Sequence, residues 1–119
     1  MAVRFELVVD PSGKFHFQLR APDGGVLLQG LSCDSRIMAQ NEVLHTRNSL
    51  QDEARVIGHV ADDGTRFVVV KDQDGTVLAR SPHVGSQRLL EELLAKIRNA
   101  AVSAPLVDLS KRKLHDAAH

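Results

Sequence analysis

Short stretches of the chain alternate apolar and polar residues, and a period of two predicts β-strands with one buried face. The clearest stretch spans residues 15–20. We expect its apolar positions to face a core and its polar positions, His16, Gln18 and Arg20, to face outward. The same alternation predicts strands near residues 5–9 and 67–71. The inward positions of the three strands are Phe5, Leu7, Val9, Phe15, Phe17, Leu19, Val68 and Val70.

Two later stretches change to a helical period. The first predicted helix runs from about Arg36 to Ser49, and the second begins after Ser86. Ser35 and Ser86 stand where a side chain can cap the first N–H groups of each helix. Asn48 and Asn99 stand near the helix ends, where Asn can adopt the left-handed conformation. The predicted core-facing stripes are Met38, Ala39, Val43, Thr46 and Leu50, then Leu89, Leu90, Leu93, Leu94, Ile97, Ala100 and Ala101.

The chain also resembles itself at a shift of 51 positions, which aligns residues 4–50 with residues 55–101. Gly13 then meets Gly64, and Asp23-Gly24 meets Asp74-Gly75. Glycine tolerates the positive φ that tight hairpin turns require, so these positions predict turns between strands. Each copy therefore reads strand, turn, strand, turn, strand, helix.

The same shift reaches a last strand-like segment, Pro105 to Leu109. We therefore expect an α+β fold in which two tandem β3-α-β repeats, about 4–54 and 55–110, form one antiparallel-rich sheet. About seven strands would carry two helices packed on one face. Residues 1–110 would form a single domain and residues 111–119 a flexible tail. The order of the strands does not follow from the pattern.

Composition narrows the function classes. The 119 residues suit one domain, and 15 basic and 15 acidic side chains give a formal net charge of zero. A neutral chain lacks the simplest electrostatic argument for a nucleic-acid or anionic-membrane partner. Cys33 is the only cysteine, so no intrachain disulfide is possible. Without a signal-peptide pattern or a run of about 20 apolar residues, we expect a cytoplasmic protein without a membrane partner.

Several of these features together resemble YegP-like domains, small bacterial domains of uncharacterised function. The matching residues in the first copy are Phe5-Glu6, Gly13, the strand from Phe15 to Ala21, Asp23-Gly24 and Val26-Leu27. Those in the second copy are Gly64, Phe67, Lys71, Asp74-Gly75, Val77-Leu78 and the stretch from Lys96 to Ala101, followed by Val107-Asp108-Leu109. The resemblance implies a repeated β3-α-β unit that forms one sheet with exchanged terminal strands. It implies no activity, cofactor or catalytic residue.

The sequence gives only weak signals for catalytic or metal-binding residues. Cys33 and His45 could suggest a thiol nucleophile, but they carry no local signature, and a lone cysteine more often behaves as a small hydrophobe. His115 and His119 have the i, i+4 spacing of a metal pair but no third ligand nearby in sequence. The segment 71–75 superficially resembles a calcium loop, yet its glycine falls at the wrong position. We therefore expect no catalytic residue, metal or cofactor.

A sheet with helices on one side leaves an open face, and this face is the main functional candidate. Its first half should carry His16, Gln18 and Arg20, and its second half Phe67, Val69 and Lys71, with Ile57 beside His59. An apolar half next to a polar half indicates a protein contact. Two other possibilities are that loops cover the patch, or that the register is shifted by one residue. Ile37 and Leu44, a heptad apart, could form a weaker ridge.

The leading hypothesis is a small non-enzymatic protein-interaction or assembly module, able to form a homodimer or to bind another protein. The alternative is a nucleic-acid or nucleotide-binding module that uses the polar half, with His16, Arg20, Lys71 and Arg80. An enzyme would require His16, His59 and Cys33 to converge in one pocket.

Overall fold

Three strands and a helix occur twice in succession, and a short last strand follows, within the residues that the computed structural model describes (3–101 and 103–110). The first run comprises β1 (Arg4–Val9), β2 (Phe15–Arg20), β3 (Val26–Gly30) and α1 (Arg36–Ser49). A short 3₁₀ turn (Glu53–Arg55) leads to β4 (Val56–Val60), β5 (Arg66–Lys71), β6 (Val77–Arg80), α2 (Gln87–Ala101) and β7 (Leu106–Asp108).

All seven strands join one mixed sheet in the order β4-β5-β6-β3-β2-β1-β7. Neighbouring strands are antiparallel except β1 and β7, which run parallel. The two runs meet at the β3–β6 junction, where only Gln29 with Arg80 and Gly30 with Ala79 are paired. The predicted α+β fold, with a sheet of about seven strands and two helices, is confirmed.

Four hairpin turns share one design. Each has a glycine at positive φ: +87° at Gly13, +90° at Gly24, +86° at Gly64 and +86° at Gly75. In each turn the glycine N–H donates to the carbonyl three residues before it, and that earlier residue's own N–H donates back across the turn. These angles and hydrogen bonds confirm the predicted turn positions. Glycine occupies them because any other L-residue would be strained at this φ.

Both helices begin at the predicted caps. Ser35 Oγ accepts a hydrogen bond from the Met38 N–H at 3.2 Å, and Ser86 Oγ accepts one from the Leu89 N–H at 3.2 Å. The prediction for Asn48 and Asn99 is wrong, because both lie inside the helices and no residue other than glycine has a positive φ among the described residues.

Two positions of the predicted helical stripes are also wrong. Met38 is 50% exposed and Leu89 is 44% exposed. Each residue directly precedes a buried one, Ala39 or Leu90, and successive helical residues are rotated by about 100°. That rotation carries the two side chains off the line that faces the sheet.

Both helices cover the same face of the sheet. Inward strand residues and residues of both helices form one continuous cluster, in which Phe5, Leu7, Leu19, Leu28, Ala39, Val68, Val70, Ala79 and Ile97 are fully buried. Gly30 belongs to this layer, since a Cβ there would lie 2.4 Å from the Phe17 ring. No helix of the described residues covers the opposite face of the sheet.

Some predictions fall outside the described part of the chain. The tail at residues 111–119, with His115 and His119, is one of them, and the side chains of Ala100 and Ala101 are another. Among the described residues, no helix is long and apolar enough to cross a membrane.

Candidate interaction face

Strand register identifies which side chains share the open face. Starting from Val107 on β7, the paired positions run through Glu6, Gln18, Gln29, Arg80 and Val69 to Ile57 on β4. Paired residues point to the same side of a sheet, and residues two apart along a strand do as well. The seven predicted face residues therefore lie on one face: Ile57, Phe67, Val69 and Lys71 in one part and His16, Gln18 and Arg20 in the other.

We call the part formed by His16, Gln18 and Arg20 the polar half of the open face, and its centre is a buried carboxylate. Glu6 is only 7% exposed. Arg4 Nε lies 2.6 Å from Glu6 Oε2, and Arg20 Nε lies 2.8 Å from Glu6 Oε1. Arg20 also donates to the Gly24 carbonyl at 2.6 Å and to Gln18 Oε1 at 2.8 Å. Both arginines are thus held by Glu6, and Arg20 is not the freely presented cation that the sequence suggested.

Sequence reasoning missed the role of Glu6. Its position was visible, because it alternates with the inward residues Phe5 and Leu7. The two arginines that would neutralise it could be found only from the pairing of β1 with β2, in which Glu6 lies opposite Gln18 and Arg4 opposite Arg20.

The part formed by Ile57, Phe67 and Val69 is the apolar half, and a stack of three rings dominates it. The Phe67 ring lies 5.4 Å from the His59 ring and 4.7 Å from the His83 ring, at interplanar angles of 18° and 6°. His83 comes from the segment between β6 and α2. This loop residue covers one side of Phe67, so that the predicted open position is partly filled from within the chain.

His83 is held in place by a short polar chain. Its Nδ1 lies 2.7 Å from Thr65 Oγ1, and that hydroxyl donates to Asp63 Oδ1 at 2.6 Å. Because the hydroxyl proton is directed to Asp63, His83 Nδ1 is the donor to Thr65. No periodic pattern marks the loop, and the shift of 51 aligns His83 with Ser32, so the sequence offered no signal for this contact.

We expected Val69 to be an exposed apolar residue of the open face. Its side chain is instead only 5% exposed. In register it lies between Ile57 on β4 and Arg80 on β6. Side chains on both neighbouring strands therefore flank it on the same face. Phe67 and Ile57 keep partial exposure and form the accessible part of the apolar half.

A groove of about 360 Å³ lies beside the apolar half, at the β3–β6 junction. Leu31, which is 48% exposed, and Pro82 give it an apolar wall. Gln29 and Arg80 add an amide and a cation. Such a mixture, with one positive charge on a largely apolar surface, is typical of protein contact sites.

The three side chains of the enzyme hypothesis do not converge. Cys33 pairs with Phe15 and belongs to the core beneath the helices, whereas His16 lies on the open face. His59 is on β4, and three strands separate it from His16. Burial raises the pKa of the Cys33 thiol, and the nearby carboxylates of Glu42 and Asp34 raise it further. A thiol with a raised pKa is a poor nucleophile at neutral pH.

The other candidate sites form ordinary local structure. His45 Nδ1 lies 3.9 Å from Asp72 Oδ2. Within the segment that resembled a calcium loop, Asp72 Oδ1 accepts from the Gln73 N–H and Asp74 Oδ1 from the Thr76 N–H, as in a hairpin turn. No group of three or more His, Cys, Asp or Glu side chains that could hold a metal ion occurs among the described residues.

The fold and face define a class of α+β proteins that have one open sheet face, and known proteins share this architecture. The chain is 27% identical to a UPF0339 protein of Pseudomonas aeruginosa over 110 residues, which cover 92% of the chain and 100% of that relative. Its structure matches that of the UPF0339 protein of Shewanella oneidensis with a TM-score of 0.88 at 20% identity, covering 97% and 98% of the two chains.

A second solved structure carries the YegP name itself. The match to yegP of E. coli, a protein of unknown function, has a TM-score of 0.85 at 22% identity and covers 92% of this chain and 95% of that one. No protein-family model matches the chain. The resemblance to YegP-like proteins is confirmed by these comparisons, and the chain is YegP-like. Its relatives are uncharacterised, so the likeness brings a fold and no activity.

Proposed function

We propose that the protein is a small non-enzymatic interaction module, which binds another protein through the apolar half of the open face and the adjoining groove. The observation that carries the proposal is the partly exposed pair Ile57 and Phe67, next to a groove that Leu31 and Pro82 line. Contiguous apolar surface on one sheet face, with few cations at its rim, favours a protein partner.

The cytoplasm is the compartment we propose for this module. Cys33 is a free and buried thiol. Proteins of reducing compartments commonly keep such thiols unpaired, whereas small secreted domains commonly use disulfides for stability.

The nucleic-acid alternative has less support. Phosphate binding requires cations that are free to contact the backbone, and affinity rises with their number. Arg4 and Arg20 are bound to Glu6, which leaves Lys71 and Arg80 on the open face without an ion pair among the described residues. Two cations give a weak electrostatic attraction.

Site-specific photocrosslinking in living cells tests the proposal. A photoreactive amino acid placed at Ile57 should give a discrete adduct with a protein other than the chain itself, because this partly exposed side chain belongs to the accessible part of the apolar half. The matched control is the same amino acid at Leu44, which is 55% exposed on α1, on the other side of the molecule. We expect no adduct from that position.

A second substitution ties the adduct to the apolar half. Phe67→Asp should abolish the adduct formed at residue 57, since a carboxylate would replace the central ring of the stack. If the melting curve shows that F67D does not fold, Leu31→Asp replaces it, because Leu31 is half-exposed beside the groove. Equal adducts with another protein at residues 57 and 44, or such an adduct at 57 that survives both substitutions, would contradict the proposal. An adduct between two copies of the chain is recognised by its mass and is scored separately.

A filter-binding assay at low salt examines the alternative, because phosphate contacts are strongest there. We expect no retention of single-stranded or double-stranded probes. Retention that is lost in the Arg80→Ala variant would favour the nucleic-acid function instead.

A further inference from the structure

The β4 edge of the sheet lacks the features that usually prevent edge strands from pairing. Such edges are commonly short, charged or interrupted by proline. The β4 sequence, Val56–Val60, contains neither a charged residue nor a proline, and Val60 is 61% exposed. The opposite edge, β7, has only three residues, follows Pro105 and ends in Asp108. The two edges of one sheet therefore differ in their readiness to accept another strand.

The outward backbone groups of β4 can be assigned from its hairpin with β5. The Ala61 N–H donates to the Thr65 carbonyl, so alternation along an antiparallel pair directs the groups of Ile57 and His59 toward β5. The groups of Val56, Gly58 and Val60 then point away from the sheet. The Val56 N–H is already used, because it donates to the Glu53 carbonyl.

We propose that two copies of the chain pair through β4, antiparallel and centred on Gly58. A pairing about a twofold axis is self-complementary, so that each contact occurs twice. In this register Gly58 exchanges both backbone hydrogen bonds with Gly58 of the second copy, and the Val60 N–H donates to the Val56 carbonyl of the second copy. The reciprocal bond, from the Val56 N–H of the second copy to the Val60 carbonyl, does not form, because the Val56 N–H donates to the Glu53 carbonyl of its own chain. The pairing joins two seven-stranded sheets into one.

The side chains of β4 fit this register. Val56 and Val60 face the helix side, where Val60 would be covered by Val56 of the second copy. On the open face, Ile57 would lie opposite His59 of the second copy, so that the two apolar halves become neighbours. Gly58 has no side chain to obstruct the centre, and a Cβ there would come within 2.9 Å of Leu90.

The outward backbone groups of β4 favour a second copy as the occupant. Gly58 offers one N–H and one carbonyl at the open edge, and Gly58 of a second copy satisfies both at once about a twofold axis. Arg55 is already paired with Asp52 of its own chain, at 3.2 Å, so the contact does not rest on an ion pair at its ends. This pairing uses the sheet edge and does not depend on a partner at the open face.

Analytical ultracentrifugation of the full chain tests the pairing. We expect a concentration-dependent monomer–dimer equilibrium. Val60→Lys should raise its dissociation constant at least tenfold, because it buries a charge against Val56 of the second copy. Leu106→Lys is the matched control: it places the same charge at the opposite edge strand, at a residue that is 37% exposed, and should leave the equilibrium unchanged.

Hydrogen exchange gives a second readout that does not depend on any substitution. The Gly58 and Val60 amides should exchange quickly in dilute solution and become protected as the concentration rises, while the His59 amide, bonded within the sheet, should stay protected throughout. The proposal is overturned by a strict monomer at millimolar concentration. It is also overturned by a dimer that V60K leaves intact and that L106K or F67D dissociates, since either result moves the contact to another surface. A strict monomer would leave the open-face crosslink untouched, so the two proposals fail separately.

Discussion

Glu6 places a carboxylate on the face of the sheet opposite to the one that α1 and α2 cover. The carboxylate is 7% exposed and contacts Arg4 and Arg20, which come from its own strand and from the neighbouring one. Removing one member of such a cluster leaves the other charges without their partner, and the cost exceeds the net gain of the original pair. The face residue that matters most for stability is therefore a charged one.

Glu6→Gln should lower the free energy of unfolding by about 2 kcal/mol, because the amide keeps the shape but gives up two charge-assisted hydrogen bonds. Chemical denaturation at neutral pH measures this loss. Glu91→Gln, at an exposed position of α2, is the control and should change the free energy by no more than about 0.5 kcal/mol. Equal effects of the two substitutions would show that Arg4 and Arg20 do not depend on Glu6.

Glycine is required in the hairpin turns for its backbone and not for its small size. Gly75 has φ +86°, and a Cβ added to it would meet no heavy atom within 4 Å, so only the backbone conformation resists a side chain there. Gly75→Ala should cost about 1 kcal/mol. Gly85→Ala is the matched control, because Gly85 has equally open space and no positive φ. Denaturation midpoints should separate the two variants clearly, and equal midpoints would contradict the argument.

The turns also contribute to the stability of the fold as elements, through the carboxylates that bind their backbone. The pKa of Asp10, Asp63 and Asp74 is lowered from 3.8, first by the side-chain hydroxyls of Ser12, Thr65 and Thr76 and then by backbone N–H groups. A carboxylate with a lowered pKa in the folded state stabilises the fold above its unfolded pKa. That contribution is lost as the pH falls below 3.8 and through the folded pKa.

We expect acid to reduce the free energy of unfolding in that window, and a triple variant with Asn at positions 10, 63 and 74 to show a shallower slope. Asparagine keeps the turn acceptor but does not titrate in this range. Asp34, whose pKa is lowered by its hydrogen bond with Lys14, remains in the variant, so the slope decreases without disappearing. Denaturation curves at several acidic pH values provide the measurement. An unchanged slope would assign the acid sensitivity to other carboxylates.

Secondary-structure elements were predictable because their signals are local. Ser35 and Ser86 marked the helix starts, and the glycine of each turn could be read directly from the chain. Errors occurred where a side chain sits at the border of a periodic stripe, as Met38 and Leu89 do. Periodicity identifies the residues at the centre of a buried stripe. Whether a residue at the border of the stripe is buried depends on how the helix is tilted on the sheet.

The order of the strands in the sheet could not be predicted, since it depends on contacts between distant parts of the chain. The parallel pairing of β7 with β1 and the meeting of β3 with β6 have no signal in the alternation of residues. The candidate face was predicted to the extent that its strands alternate. The stacking of His83 on Phe67 was not, because a loop position has no period.

At the scale of the whole molecule, the narrow β3–β6 junction raises the question of whether the two runs unfold separately. Only two residue pairs join the strands there. The core nevertheless crosses the junction, because Ala39 and Val43 of α1 and Leu90 and Ile97 of α2 belong to the same cluster. A continuous core should make the described part of the chain unfold as a single cooperative unit.

Val43→Ala and Leu90→Ala test this cooperativity from opposite ends of the core. Val43 is 1% exposed and Leu90 is 4% exposed, so each truncation should destabilise the fold, by about 1.5 and about 3 kcal/mol respectively. Backbone NMR signals from β2 and from β5, followed through a denaturant titration, should share one midpoint in each variant and shift together. Distinct midpoints, with Val43→Ala moving only the β2 signals and Leu90→Ala only those of β5, would divide the molecule into two units. A shared midpoint would show that the part of the sheet with the ring stack and the part with the Glu6 cluster fold and unfold together.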